Sequence, residues 1–124
     1  VIAIAPYDEV ALRQVFADAD ANGWFIEAMF LEPVMGEGDP GRRVPVAYYD
    51  AARELTRAHG GLLLVDSIQA GLRATGYLSI VDYPGFERSD APDMETYSKA
   101  LNAGQFPLSV LAVTGEWLSQ ALKK

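Results

Sequence analysis

The chain has 124 residues, 50% of them hydrophobic and 22% charged, a composition that fits one soluble globular domain or part of one. Its formal net charge of −7 argues against nucleic-acid binding, because no basic patch is available to replace the counterions on phosphates, and the absence of cysteine excludes disulfides and thiolate metal sites. No apolar run is long enough to span a bilayer and the start does not resemble a signal peptide, so we expect a cytoplasmic protein without membrane contact or a metal ion.

A first helix is predicted near the start of the chain. Pro6 precedes it, Asp8 is its expected N-cap, and Asn22-Gly23 interrupts its pattern. Its apolar residues recur at near-helical spacing: Val10, Leu12, Val15 and Phe16. The run from Trp24 to Leu31 (WFIEAMFL) follows and is rich in strand-forming residues. Its neutral neighbours predict a strand buried on both faces, as parallel sheets require.

A loop, a helix and a strand are predicted in the middle of the chain. The stretch from Gly36 to Arg43 (GEGDPGRR) is a loop by composition. A helix begins at Pro45 and runs to about His59, where Gly60-Gly61 ends it. Its expected apolar face consists of Tyr48, Ala51, Ala52, Leu55 and Ala58. The wholly apolar run LLLV that follows, closed by Asp66, is the clearest buried strand of the sequence.

The last third of the chain continues the alternation of apolar runs and loops. A proline-containing loop from Tyr83 to Pro92 is followed by a short run from Met94 to Tyr97. A strand is then expected over Leu108 to Val113, and a helix over Glu116 to Leu122. Helices alternating with strands in this way predict an α/β fold, in which helices pack on a mainly parallel sheet.

Three ionisable residues follow predicted strands. Glu32, Asp66 and Lys99 each stand at or just after a strand end, and ligands collect at that edge of open α/β sheets. A carboxylate there is poorly hydrated and needs a cation or an N–H group, and a lysine there is a candidate for imine formation. Each residue also has a more ordinary interpretation. An acid at a strand end usually caps a helix or organises a loop, and a single loop lysine is usually solvated.

Four blocks of the sequence, in order, resemble class III aminotransferases, a family that depends on pyridoxal phosphate. FLEPVMGEGDPG is similar to the family's E-P-x-x-G-E-G-G segment, and YYDAARELTRAHG resembles its helix ending in His-Gly. LLLVDSIQAGLRATG looks like L-I-x-D-E-V-Q-T-G-x-G-R-T-G, and APDMETYSKALNAGQFPLSVLAV resembles the family's lysine block. The resemblance implies that residues 1–124 form part of the large domain of a fold-type I enzyme, with no second domain within these residues.

The resemblance also implies roles for four residues. Asp66 matches the aspartate that pairs with the pyridine nitrogen of the cofactor, and Gln69 matches the residue beside its phenolic oxygen. Lys99 matches the lysine that forms the Schiff base and later moves a proton. Glu32 matches the glutamate of the E-P pair, which supports the site without taking part in the reaction.

Some positions depart from the family motif and leave alternatives open. Ser67 replaces the usual glutamate, and Ala74 occupies the place of the usual arginine because Arg73 stands one position early. The resemblance implies an aminotransferase that moves an amino group, expected to be an ω-amino group, to a 2-oxo acid and acts as a homodimer. The chain would then be a fragment that is inactive alone. A non-catalytic assembly or regulatory module, or a racemase or aminomutase of the same fold, is the alternative.

Overall fold

The computed structural model describes residues 1–121. Its helices and strands, in chain order, are α1 (Glu9–Asn22), β1 (Ala28–Leu31), α2 (Val46–His59), β2 (Leu62–Asp66), β3 (Met94–Tyr97), β4 (Val110–Val113) and α3 (Gly115–Ala121), with short 3-10 helices at Ile80–Asp82 and Lys99–Leu101. The strands form one sheet in the order β1-β2-β3-β4. The first three strands are parallel, and β4 runs antiparallel to β3. The predicted α/β class and mainly parallel sheet are confirmed.

None of the helices in residues 1–121 combines the length and the apolar character that crossing a bilayer requires.

Helix α1 begins and ends where its local signals predict. The Asp8 side chain accepts a hydrogen bond from the Ala11 backbone N–H at 2.9 Å, which confirms the N-cap. Gly23 ends the helix with a φ of 67°, a conformation that favours glycine. Leu12 and Phe16 are buried, but Val10 is exposed, so its predicted place on the apolar face is wrong. Val10 lies two residues before Leu12, which places it on nearly the opposite side of the helix.

Helix α2 covers the sheet with a broader buried face than predicted. Its buried residues are Tyr48, Tyr49, Ala51, Ala52, Arg53 and Thr56. Ala58 is exposed, so its predicted inward position is wrong, and Leu55 is only half-buried. The polar members of this face are buried because they have partners: Thr56 Oγ1 donates to the Ala52 carbonyl, and Arg53 pairs with Asp93.

Strand β1 is shorter and more exposed than predicted. It begins at Ala28 rather than at Trp24, because the Ile26 N–H donates to Nε2 of His59 instead of to a neighbouring strand. Leu31 packs on the core, whereas Phe30 points to the other face and is 68% exposed. The prediction of burial on both faces is therefore wrong for the described residues, in which β1 is the edge strand and the Phe30 side chain is exposed.

The core lies between α2 and one face of β2. Leu63 and Val65 of β2 are fully buried there, together with Tyr49 of α2 and the loop residues Tyr83 and Phe86. This packing holds the carboxyl end of β2 rigidly in place.

The last two elements agree with the sequence in type. Strand β4 begins two residues later than the predicted Leu108, and it is largely exposed. Helix α3 begins at Gly115, one residue before the predicted Glu116. The predicted end of this helix, Leu122, lies outside the described residues.

Candidate functional site

The parallel strands bring three of the predicted site residues to one edge of the sheet. Glu32 directly follows β1, Asp66 is the last residue of β2, and Lys99 is the second residue after β3. Asp66 stands beside Thr96 of β3 in the sheet register. Because parallel strands end on the same edge, the three residues lie along one border of the sheet.

Asp66 is half-buried and holds one carboxylate oxygen in local hydrogen bonds. Its Oδ1 accepts from the Ile68 backbone N–H at 3.0 Å and lies 3.4 Å from Oγ1 of Thr96. Within residues 1–121, Oδ2 has no hydrogen-bond partner. Asp66 therefore has a fixed orientation and one oxygen available to accept a hydrogen bond from a bound molecule.

Lys99 opens a short 3-10 helix in a loop that side chains tie together. Oγ of Ser98 and Nδ2 of Asn102 both donate to the Leu108 carbonyl, at 2.7 and 3.1 Å. The Lys99 side chain is exposed within the described part of the chain, which agrees with the ordinary interpretation of a loop lysine as solvated. Its Nζ makes no ion pair with residues 1–121, which leaves the amine accessible.

Gly36 is hydrogen-bonded to Glu32 and also lies close to the Gln69 side chain. Oε2 of Glu32 accepts a hydrogen bond from the Gly36 N–H at 2.8 Å and so shapes the loop after β1. An ideal Cβ built on Gly36 would lie 2.4 Å from Cδ of Gln69, which shows how closely this loop approaches Gln69. Glu32 therefore acts on the arrangement of Gln69 through the loop backbone.

Tyr7 forms a hydrogen bond at the start of the same loop. Its hydroxyl donates to the Glu32 carbonyl at 3.1 Å. Burial, followed by the nearby Glu32 carboxylate, raises the pKa of Tyr7 to about 12, so the hydroxyl keeps its proton at neutral pH.

Sequence reasoning missed a buried carboxylate beside the site. Glu95 of β3 is 3% exposed. Its Oε1 accepts from Oγ of Ser67 at 2.5 Å and from the Ile80 N–H at 3.1 Å, and its Oε2 accepts from Oγ of Ser79 at 2.7 Å. Burial and then Glu95 raise the pKa of Tyr97 above its ordinary range. The alternation of side chains along β3 could have indicated that Glu95 shares the buried face of Tyr97.

The family model for class III aminotransferases matches residues 8–123. Three relatives are similar over most of the chain. Acetylornithine aminotransferase of Mycolicibacterium smegmatis is 39% identical over 94% of this chain and 28% of its own length. Ornithine aminotransferase of Emericella nidulans is 37% identical over 82% of this chain and 21% of its own. Diaminobutyrate–2-oxoglutarate aminotransferase of Haemophilus influenzae is 37% identical over 73% and 18%.

Two solved structures share the fold of this chain. Ornithine aminotransferase of Toxoplasma gondii, a structure with partial occupancy of pyridoxal phosphate at its active site, superimposes with a TM-score of 0.73 at 33% identity, covering 94% of this chain and 25% of that one. N-acetylornithine aminotransferase of Stenotrophomonas maltophilia gives a TM-score of 0.71 at 33% identity, covering 91% and 28%. The chain thus spans about a quarter of the length of these relatives, and it belongs to the class III aminotransferase family, whose cofactor is pyridoxal phosphate.

Proposed function

We propose that this chain is the part of a pyridoxal-phosphate-dependent aminotransferase that carries the Schiff-base lysine, Lys99, and the aspartate for the cofactor ring, Asp66. The observation that carries the proposal is the arrangement of Asp66. One of its oxygens is held by local hydrogen bonds that include Thr96, on the strand that leads to Lys99, and the other oxygen is open. This is the geometry that a protonated ring nitrogen needs in an acceptor.

The residues present fit the chemistry of pyridoxal phosphate. When bound, the cofactor supplies an aldehyde for imine formation and a ring that withdraws electrons from the substrate carbon. The carboxylate of Asp66 would hold the proton on the ring nitrogen. The exposed amine of Lys99 would bind the aldehyde and afterwards carry the proton to and from the substrate carbon. The amide of Gln69 would hydrogen-bond the phenolic oxygen, while Glu32 holds the loop against Gln69.

We also propose that residues 1–124 belong to the large domain of a longer polypeptide and are inactive alone. The support is the share of the relatives that the chain covers, 28% for the mycobacterial protein and 25% for the Toxoplasma structure. Relatives that act on acetylornithine, ornithine and diaminobutyrate favour an ω-amino donor. The name of the diaminobutyrate enzyme supports a 2-oxo acid as acceptor. We further propose that the full-length protein acts as a homodimer in the cytoplasm.

A borohydride experiment tests the role of Lys99. The full-length protein is incubated with pyridoxal phosphate, reduced with borohydride and digested, and the modified peptide is identified by mass spectrometry. Within residues 1–124 the only other lysines are the terminal pair Lys123-Lys124, so a modified peptide from this part of the protein identifies its lysine directly. We expect the modification at Lys99 and its loss, together with transamination, in Lys99→Ala.

Lys123→Ala is the matched control and should leave both the modification and the activity unchanged. Modification at another lysine would contradict the assignment of Lys99. A protein that binds the cofactor through Lys99 but racemises an amino acid, without transferring its amino group, would contradict the aminotransferase reaction. Failure to bind the cofactor at all would favour a non-catalytic module.

A further inference from the structure

Glu95 is a buried carboxylate for which the proposed reaction has no direct use. It is 3% exposed, and its oxygens accept three hydrogen bonds, from Oγ of Ser67, Oγ of Ser79 and the Ile80 N–H. Within residues 1–121, no Lys, Arg or His nitrogen forms an ion pair with it. A buried acid without a cation costs stability unless it is fully hydrogen-bonded, as it is here.

The partners of Glu95 join three parts of the site framework. Ser67 directly follows Asp66, and its backbone N–H donates to the Thr96 carbonyl at 3.0 Å. Ser79 and Ile80 lie near the middle of the long loop that joins β2 to β3, and Ile80 begins its short 3-10 helix. Glu95 therefore fastens this loop and the end of β2 to β3, on the face of the sheet opposite to Thr96.

We propose that Glu95 is a positioning residue that fixes the orientation of Asp66 by holding Ser67. This inference rests on the proposed function for the role of Asp66, but the hydrogen-bond network itself does not depend on a cofactor. It also explains the serine at position 67. A hydroxyl there donates to Glu95, whereas a glutamate, the usual family residue, would place a second carboxylate against the first.

Hydrogen exchange in the cofactor-free full-length protein tests the network. Two backbone amides report on it: the Ser67 N–H donates to the Thr96 carbonyl, and the Ile68 N–H donates to the Asp66 carboxylate. In Glu95→Leu we expect their exchange to accelerate about tenfold or more, since three donors lose their acceptor. In Glu95→Gln the change should be less than about threefold, because the amide keeps one acceptor oxygen and can donate to Ser79.

Glu54→Leu is the matched control, since Glu54 is 70% exposed, and it should leave these amides unchanged. Unchanged exchange at both amides in Glu95→Leu would overturn the proposal, even if that variant were less stable. Equal acceleration in Glu95→Gln and Glu95→Leu would overturn it too, because the conservative variant would then fail to rescue.

A second pair of variants tests the explanation for Ser67. Ser67→Glu should raise the unfolding constant by roughly tenfold or more, because two carboxylates then share one buried site. Adding Glu95→Leu should recover most of that loss, a non-additive result that a double-mutant cycle detects. Strict additivity of the two substitutions would overturn the explanation.

Cofactor binding provides the last comparison. Glu95→Leu should bind pyridoxal phosphate about tenfold more weakly than Glu95→Gln, because a misplaced Asp66 holds the ring nitrogen less well. Equal binding by the two variants would overturn the positioning role. If the unmodified protein does not bind the cofactor, the proposed function fails, whereas the exchange and double-mutant results still decide whether Glu95 holds Ser67.

Discussion

The backbone of Gly36 lies so close to the end of the Gln69 side chain that a side chain at position 36 would collide with Gln69 as it now lies. An ideal Cβ at position 36 would stand 2.4 Å from Cδ, 2.5 Å from Nε2 and 2.6 Å from Oε1 of Gln69. The Gly36 N–H in turn donates to Glu32. The loop after β1 therefore determines where the Gln69 amide can lie.

We expect Gly36→Ala to displace the Gln69 side chain while the fold is kept. The clash involves only the far end of a flexible side chain, so the loss of stability should stay within about 1 kcal/mol. If Gln69 contacts the cofactor, its displacement should weaken pyridoxal phosphate binding by roughly tenfold. Thermal unfolding and a cofactor titration of the full-length protein measure the two effects.

Gly115→Ala is the control for this substitution, because a Cβ at Gly115 meets nothing within 4 Å in the described part of the chain. It should change neither measurement. If Gly36→Ala bound the cofactor as tightly as the unmodified protein, Gln69 would have no role at the cofactor.

The ion pair between Arg53 and Asp93 fastens α2 to the beginning of β3. Both side chains are nearly buried, at 11% and 16% exposure, and Asp93 also accepts from the Leu63 N–H at 2.8 Å. We expect Asp93→Ala to lower the free energy of unfolding by about 3–5 kcal/mol, because it leaves the guanidinium and a backbone N–H buried without partners.

The matched control is Asp90→Ala, which breaks the exposed pair with Arg57. Both of these side chains are more than half exposed, at 58% and 61%, so the loss should be about 1 kcal/mol or less. Chemical denaturation of the full-length protein compares the two variants. Equal losses of unfolding free energy in the two variants would show that the buried ion pair of Asp93 contributes no more to stability than the exposed pair of Asp90.

Local signals in the sequence predicted the helices, whereas contacts between distant residues were beyond its reach. Asp8 and Gly23 mark the ends of α1 through their own hydrogen bonds and φ angle. The late start of β1 depends instead on a bond between Ile26 and His59, which are separated by 33 positions. Periodicity carries no information about such a partner.

In the candidate site, too, local motifs could be predicted from the sequence, whereas contacts between distant residues could not. The motifs indicated Asp66 and Lys99, and the parallel order of the strands then explains why both lie at one edge. Glu95 was missed because its partner Ser67 is 28 positions away, directly after the neighbouring strand. The exposure of Lys99, in contrast, agrees with what is usual for a single lysine in a loop.

The Tyr7 hydroxyl gives the fold a measurable pH dependence. Its pKa is raised from 10.0 to about 12 in the folded state, first by burial and then by Glu32. The folded protein therefore holds this proton more tightly than the unfolded chain does. The resulting stabilisation is complete below pH 10 and is lost as the pH rises to about 12.

Tyr7→Phe should remove this contribution. Below pH 10 the variant should be less stable by about 1 kcal/mol, since a hydrogen bond to Glu32 is lost. The difference from the unmodified protein should narrow between pH 10 and 12, as measured by chemical denaturation at a series of pH values. Tyr77→Phe, at an exposed tyrosine, is the control. A difference that stays constant over this range would contradict the role of Tyr7.

The loop that carries Lys99 depends on Asn102. Both ends of its amide are used, because Nδ2 donates to the Leu108 carbonyl at 3.1 Å and Oδ1 accepts from the Gly104 N–H at 2.7 Å. Asn102→Ala removes both hydrogen bonds, while the Ser98 hydroxyl still donates to the Leu108 carbonyl. If Lys99 performs the proposed proton transfer, the loosened loop should place its amine less well for that step.

The expected result for Asn102→Ala is a fall in kcat of about tenfold to a hundredfold with little change in KM, because imprecise placement affects the reaction more than substrate binding. Steady-state kinetics of the full-length enzyme measure both constants. Gln105→Ala is the control in the same loop, since the bond between position 105 and Asn102 uses backbone atoms only. An unchanged kcat in Asn102→Ala would show that Ser98 alone suffices to hold the lysine loop.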